Sequence, residues 1–364
     1  MVSQANGGDE IDIVCAGVTK VFRDFWMRPR VRAVEAVDLQ VRRGQVYGLL
    51  GPNGSGKSTT IKMLLGLLQP TAGRIAVLGK RPKDVDIKRS IGYLPEESYL
   101  YRFLSGRETL DYYGRLFRLD GRARRERIDM LLDMVGLEAV QHRPVGEYSK
   151  GMQRRIGLAQ SLINDPQLLI LDEPTSGMDP VGAKQIKDLI ATLAARGKTV
   201  LLCSHLLGDV EDLCDRVAIM YGGRVRAEGT CDDLLEQEHA TLLETAELPE
   251  PVIAEVREVL RRHDLSLTRV QRPRRTLESL FLEIVERARA EGVQTSGARS
   301  GGAVAGFLGG DADVRRAGPG AAGSGPAGSG AAEGAGSVGD AAAAVDAGLL
   351  ESLVAPSADE RTIP

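Results

Sequence analysis

Apolar positions in the first 290 residues fall into short runs with two distinct periods. Ile11, Ile13 and Cys15 recur at every second position, as in a half-buried strand. Val46–Leu50 is a continuous apolar run that leads into a glycine-rich loop, and residues 60–68 after it suit a helix. Residues 168–171 and 200–203 are likewise unbroken, the pattern of parallel strands buried on both faces. Between them Ile186, Leu189, Ile190, Leu193 and Ala194 repeat at threes and fours, one face of a helix. Strand, helix, strand in that order predicts a parallel crossover and an α/β fold. Residues 108–135 read as helical without strand runs and sit between two α/β portions, so a helical subdomain is expected at about 98–150. After Thr230 the pattern weakens. Residues 251–263 suit a helix, 265–270 a strand and 276–288 another helix, which predicts a small accessory α/β domain over 236–290.

From residue 291 onward Gly, Ala, Ser and Pro dominate, and large apolar residues are sparse. Such a stretch buries too little surface to offset chain entropy, so 291–364 is expected to be a disordered tail. Its nine Asp/Glu and four Arg leave the remainder of the chain near +2, against −3 for all 364 residues. That balance excludes an overall basic nucleic-acid coat, and no nucleic-acid partner is expected. Apolar residues at 43% and charged residues at 27% are ordinary for globular proteins. No apolar run reaches the roughly 18 residues of a membrane helix. The N-terminal residues lack the basic patch and apolar stretch of a secretory signal. Cys15, Cys203, Cys214 and Cys231 are widely spaced with no CxxC, which predicts free thiols.

The chemistry begins at the end of the 46–50 run. Gly51-Pro52-Asn53-Gly54-Ser55-Gly56-Lys57-Ser58-Thr59 fits GxxxxGK[ST]. Backbone N–H groups of such a loop curl around phosphates, where bulky side chains would block the approach. The following helix aims its positive end at the same phosphates. Lys57 is expected to reach the β- and γ-phosphates, and the Ser58 hydroxyl to ligate Mg²⁺. A glycine-rich turn without a ligand is the plain alternative, and the flanking strand and helix weigh against it.

The 168–171 run leads straight into Asp172-Glu173-Pro174. Two carboxylates ending a buried strand are costly unless something uses them. Asp172 is expected to hold Mg²⁺ through water, and Glu173 to orient and polarise an attacking water. His205 follows the next strand. Parallel strands end on a shared edge, so His205 and Glu173 should meet near the γ-phosphate. His142, His239 and His263 have no such context.

With these residues in place the chain resembles the ATPase subunit of the ATP-binding cassette family over about residues 10–235. The motifs run in family order: GPNGSGKST at 51–59, GYLPEE at 92–97, YSKGMQRR at 148–155, LLILDEP at 168–174, SGMDP at 176–180 and His205. The Glu in GYLPEE, the SKGM signature and the 277–283 stretch, Leu-Glu-Ser-Leu-Phe-Leu-Glu, resemble the daunorubicin-resistance and sodium-export type serving type-2 exporters. The resemblance implies a P-loop core with an antiparallel β subdomain in a nucleotide-binding domain over 1–235. It also implies that Ser149 and Gly151 touch ATP bound to a second subunit, with Asp179 across the contact. Glu96 stands where the family usually places a glutamine that contacts Mg²⁺. Lys150 and Met152 replace the usual glycine and glutamine of the signature. An aromatic on adenine is expected at Phe22, with Phe25 and Trp26 close by in an insertion that carries Arg28, Arg30 and Arg32.

One phosphate loop and one signature lie on opposite faces of such a subunit, so the site needs a second copy or a close relative. A chain without a membrane span must pass its motion to a separate integral permease at the cytoplasmic face of the membrane. The aromatic 96–103 loop is the expected contact. The function expected is ATP hydrolysis driving an exporter of drug, lipid, polysaccharide or ion. A soluble cassette ATPase with a non-transport role and an importer ATPase are the alternatives. One cassette in the chain, and no sustained heptads between Lys57 and Asp172, weigh against translation and repair ATPases.

Overall fold

The computed structural model describes residues 10–97, 99–235, 245, 248–263, 265–267, 270 and 302–308. The chain divides into two units, 1–231 together with 298–364, and 232–297. In the first, nine strands form two sheets among the described residues. β1 (Ile11–Arg23) pairs antiparallel with β2 (Pro29–Arg42) on one side and β4 (Ala72–Val77) on the other. β1 departs from the simple alternation expected at its start. Asp12 is buried as fully as Ile13, accepting a 2.6 Å hydrogen bond from Thr199 Oγ1 and a 3.3 Å one from Arg43 Nε.

The second sheet has the order β5 (Ile91–Leu94), β6 (Leu168–Asp172), β7 (Thr199–Ser204), β3 (Val46–Leu50), β8 (Arg216–Tyr221), β9 (Arg224–Gly229). Its first five strands are parallel, and β9 closes the edge antiparallel to β8. β3, β6 and β7 are buried along their whole length, which is why their sequences are unbroken apolar runs. One core joins both sheets through Ile13, Val34, Tyr47, Leu49, Ile170, Leu201 and Met220.

Helix α1 spans Lys57–Leu64, earlier at both ends than the predicted 60–68. Gly56 at φ +110° turns the chain into it, and Gly66 at φ +67° turns the chain away, where a Cβ would lie 2.2 Å from the Pro82 carbonyl oxygen. α2 (Gly106–Leu116), α3 (Gly121–Met134) and α4 (Lys150–Leu162) form the helical insertion. α2 opens on a capping box between Ser105 and Glu108. α5 (Pro180–Ala195) buries Ile186, Leu189, Ile190 and Leu193, the face read from the sequence, and α6 (Leu207–Leu213) packs beside it. The short helix α7 (Cys231–Leu235) leads into the second unit.

In that unit α8 (Glu250–Arg262) occupies the helix expected at 251–263. Residues 265–267 and 270 are in no strand among the described residues, and the rest of the strand expected at 265–270 lies outside them, as does the helix expected at 276–288. The tail expectation needs one correction. Within 291–364, residues 302–308 pack on the first unit, with Ala305 and Leu308 buried. Arg196 Nη1 donates to the Ala305 carbonyl at 2.8 Å, Gly302 N–H donates to the Asp133 carbonyl at 2.8 Å, and the Arg127 guanidinium lies 4.4 Å from the Phe307 ring centre. Among the described residues no helix is long and apolar enough to cross a membrane, and no disulfide joins any of the four cysteines.

Candidate functional site

Register places the chemistry on one edge of the parallel sheet. Leu50 of β3 lies opposite Ser204 of β7, and Asp172 of β6 lies opposite Cys203. The loop after Leu50, the acidic pair ending β6 and His205 after β7 therefore emerge together, as the sequence order required. Leu94 of β5 is opposite Leu171, so Glu96 leaves the same edge two residues later.

Glycines decide the loop's path. A Cβ on Gly51 would lie 2.3 Å from the Met220 carbonyl oxygen, and one on Gly56 would lie 2.6 Å from the Ala33 carbonyl oxygen. Gly54, at φ +81°, faces open space. Pro52, Asn53, Gly54 and Ser58 are exposed and Thr59 is half-buried, while Ser55 and Lys57 are buried. Lys57 Nζ donates to the Gly51 carbonyl at 2.5 Å and the Pro52 carbonyl at 3.3 Å, holding an ammonium against the loop floor. Ser55 Oγ is buried with no hydrogen-bond partner among the described residues.

Asp172 and Glu173 are both buried. Burial, then the Glu96 and Glu173 carboxylates, push the Asp172 carboxyl up to about 6 against the pull of Lys57 and Arg154. Glu173 holds a left-handed backbone at φ +52°, which for a non-glycine residue stores strain. Its N–H donates to the Cys203 carbonyl at 2.8 Å, fixing that conformation. His205 Nδ1 stands 2.7 Å from Glu173 Oε1, an ion-pair distance without a formed hydrogen bond, so Oε1 keeps an open lone pair. Ser204 Oγ reaches Oε2 at 3.5 Å and accepts from Leu206 N–H at 3.0 Å.

Sequence reasoning missed Arg154 of α4. Its buried guanidinium donates to the carbonyls of Pro95, Glu96, Asp172, Glu173 and Pro174. One side chain thus ties the segment carrying Glu96 to the end of β6. Burial pulls its pKa down, and the Asp172, Glu173 and Glu96 carboxylates oppose that pull. Its place in YSKGMQRR was visible; its partners, all backbone carbonyls of other segments, were not.

Other expected residues lie apart from this edge. Ser149 is the exposed N-cap of α4, accepting from Met152 N–H at 3.2 Å. The nearest atoms to a Cβ on Gly151 are Met178 Cε at 3.8 Å and Ser149 Oγ at 4.0 Å, and no atom of 51–59 comes within 4 Å. Asp179 is an exposed N-cap of α5, accepting from Gly182 N–H at 2.8 Å. Phe22 is half-exposed under the Lys20 ammonium, 5.5 Å from its ring centre. On the paired strand, Ala33 lies against Gly56, so the ring sits a few residues from the loop.

These groups fit a triphosphate with a divalent cation. The unpartnered Ser55 Oγ, the Lys57 ammonium and the open turn at Gly54 are donors and space for phosphate oxygens. Among the described residues no three His, Cys, Asp or Glu gather as a metal cluster, so a cation held by Ser58 and Asp172 would complete its shell with phosphate oxygens and water.

A family model described as ABC transporter matches residues 34–176. An uncharacterized ABC transporter ATP-binding protein of Nostoc sp. is 44% identical over 226 residues, covering 61% of this chain and 68% of the relative. Its counterpart in Synechocystis sp. is 43% identical over 221 residues, covering 60% of this chain and 62% of the relative. A daunorubicin resistance ATP-binding protein of Streptomyces coeruleorubidus is 43% identical over 205 residues, covering 56% of this chain and 65% of the relative. The matched stretch thus spans about two thirds of these relatives' lengths. A dimeric ATP-binding cassette in a post-hydrolysis state bound to ADP and Pi superposes with a TM-score of 0.56 at 26% identity, over 60% of this chain and 98% of that one.

Proposed function

The chain belongs to the family of ABC transporter ATP-binding proteins, and from that premise we propose that it binds and hydrolyses ATP to drive a separate integral membrane subunit. The observation that carries the reading is the single sheet edge on which the 51–59 loop, Asp172, Glu173 and His205 emerge together. Lys57 and the loop N–H groups hold the β- and γ-phosphates. A Mg²⁺ ion held by Ser58, with Asp172 through water and Glu96 nearby, would neutralise charge spreading over the transferred phosphoryl group. Glu173 Oε1, with its open lone pair, orients the attacking water and takes up its proton. His205, whose Nδ1 stands 2.7 Å from that carboxylate, would face the γ-phosphate.

The exposed start of α4 supplies what this edge lacks. Ser149 Oγ and Gly151 N–H would close on nucleotide held by a second copy or a close relative, with Asp179 at the contact, and Phe22 would stack on adenine. Closure and opening of that pair is the motion passed to the membrane subunit through the exposed aromatics Tyr99, Tyr101 and Phe103. The chain would then lie peripherally on the cytoplasmic face of the membrane. The likeness to a daunorubicin resistance protein favours export. Glu173→Gln should bind ATP, fall to under about 1% of normal turnover and elute as a dimer in ATP during size-exclusion chromatography. An unchanged monomer with full turnover would refute the reading.

A further inference from the structure

The turn between β1 and β2 has an unusual apex. Tight turns favour Gly, Asn, Asp and Ser, yet this one carries Phe25, Trp26 and Met27, which are 93%, 72% and 67% exposed. These side chains are held out by a built turn. Asp24 Oδ1 accepts from Trp26 N–H at 3.0 Å and Arg28 N–H at 2.8 Å, and the Asp24 carbonyl accepts from Met27 N–H at 3.0 Å. Arg23 Nη1 donates to the Met27 carbonyl at 3.1 Å, and Met27 takes φ +61°. Phe25 and Trp26 meet edge to face, with ring centres 5.9 Å apart. Little order remains to be imposed when the apex meets a partner.

Behind the apolar apex lies a cationic collar. Arg32 pairs with Glu35, but Arg28 and Arg30 have no carboxylate partner among the described residues. Asp24, the acidic residue of the turn, is engaged by backbone N–H groups. Apolar tip first and cations behind is the layering that meets an anionic bilayer, where hydrocarbon lies beneath charged headgroups. Aromatic rings, tryptophan above all, settle at that boundary.

We propose that the β1–β2 turn is a contact site for an anionic lipid surface. Phe25, Trp26 and Met27 enter the headgroup boundary, and Arg28 and Arg30 meet lipid phosphates. The contact needs no nucleotide, so it stands or falls separately from ATP hydrolysis.

Trp26 is the only tryptophan in the chain, so its emission reports this turn alone. The full chain is titrated with phosphatidylcholine vesicles with and without phosphatidylglycerol, at low and high salt. The expected result is a blue shift and protection from acrylamide quenching with the anionic vesicles, weakened by salt. Arg28→Glu with Arg30→Glu should weaken vesicle binding about tenfold or more, with ATP turnover and circular dichroism unchanged. Phe25→Ser with Met27→Ser should reduce co-sedimentation. Unchanged emission with both vesicles overturns the proposal, as does an equal shift with phosphatidylcholine alone. A shift on adding Mg·ATP without vesicles assigns the turn to nucleotide and overturns it. A shift seen only in membranes that hold a co-purifying integral protein assigns it to that protein and overturns it too.

Discussion

Asp172 is a carboxyl that the fold holds at a cost. Its pKa lies at about 6 in the folded chain against an ordinary 3.8. Between those values the folded state holds a proton that the unfolded state has released. The contribution of Asp172 to stability is therefore fully present below about pH 4 and is lost as pH rises through 6. Asp172→Asn removes this loss, so at pH 8 urea unfolding should show a gain of roughly 2–3 kcal/mol, vanishing below pH 4. A gain independent of pH would place the strain elsewhere. The same substitution should abolish Mg²⁺-dependent turnover. Arg154 gives the opposite case. Arg154→Ala removes the one guanidinium shared by the Pro95, Glu96, Asp172, Glu173 and Pro174 carbonyls and should cost about 3 kcal/mol or more. Because it positions Glu173 rather than touching phosphate, kcat should fall further than ATP affinity, as single-turnover kinetics beside calorimetry would separate. Asp172, Glu173 and His205 were legible because each is an ionisable residue directly after an unbroken apolar strand, and Lys57 because it closes a glycine-rich loop at a helix start. Arg154 was not, because every residue has a carbonyl and acceptors leave no trace in sequence.

At the scale of elements, the strands buried on both faces announced themselves as apolar runs. β2 did not. It carries Arg30, Arg32, Glu35 and Asp38 along a sheet edge, and a half-exposed strand with charged positions reads as loop. The tail misled for a different reason. Its average composition is that of a disordered chain, but Val304, Phe307 and Leu308 form a local apolar patch that the average conceals. Two arginines from the first unit, Arg127 and Arg196, complete its seat. Leu308 is fully buried, so Leu308→Ser should cost roughly 2–4 kcal/mol of docking. Hydrogen exchange should show the Gly302 and Leu308 amides losing protection while the strands keep theirs. Loss of protection throughout the sheet would show that the segment is part of the global fold. Deleting 291–364 should leave ATP turnover within about twofold, since none of its described residues, 302–308, lies at the sheet edge.

For the whole molecule the decisive consequence of the proposed function is that the described edge is half a site. The phosphate loop with its carboxylates lies on one edge, and the exposed start of α4 has no atom of that loop within 4 Å of Gly151. A ligand that binds only the folded state adds RT ln(1 + [L]/Kd), about 2.7 kcal/mol at one hundred times Kd, whatever the protein concentration. A ligand that also joins two copies adds a term that grows with protein concentration. The two cases separate in thermal unfolding of Glu173→Gln with Mg·ATP. Its midpoint should rise with nucleotide and rise further as the chain is concentrated. Lys57→Ala should show neither rise, because the buried ammonium proposed to hold phosphate is gone. A nucleotide shift that ignores chain concentration would mean that one copy holds ATP without closing on another. Hydrolysis would then have no pair of subunits to open, and the coupling to a membrane partner would need a different moving part.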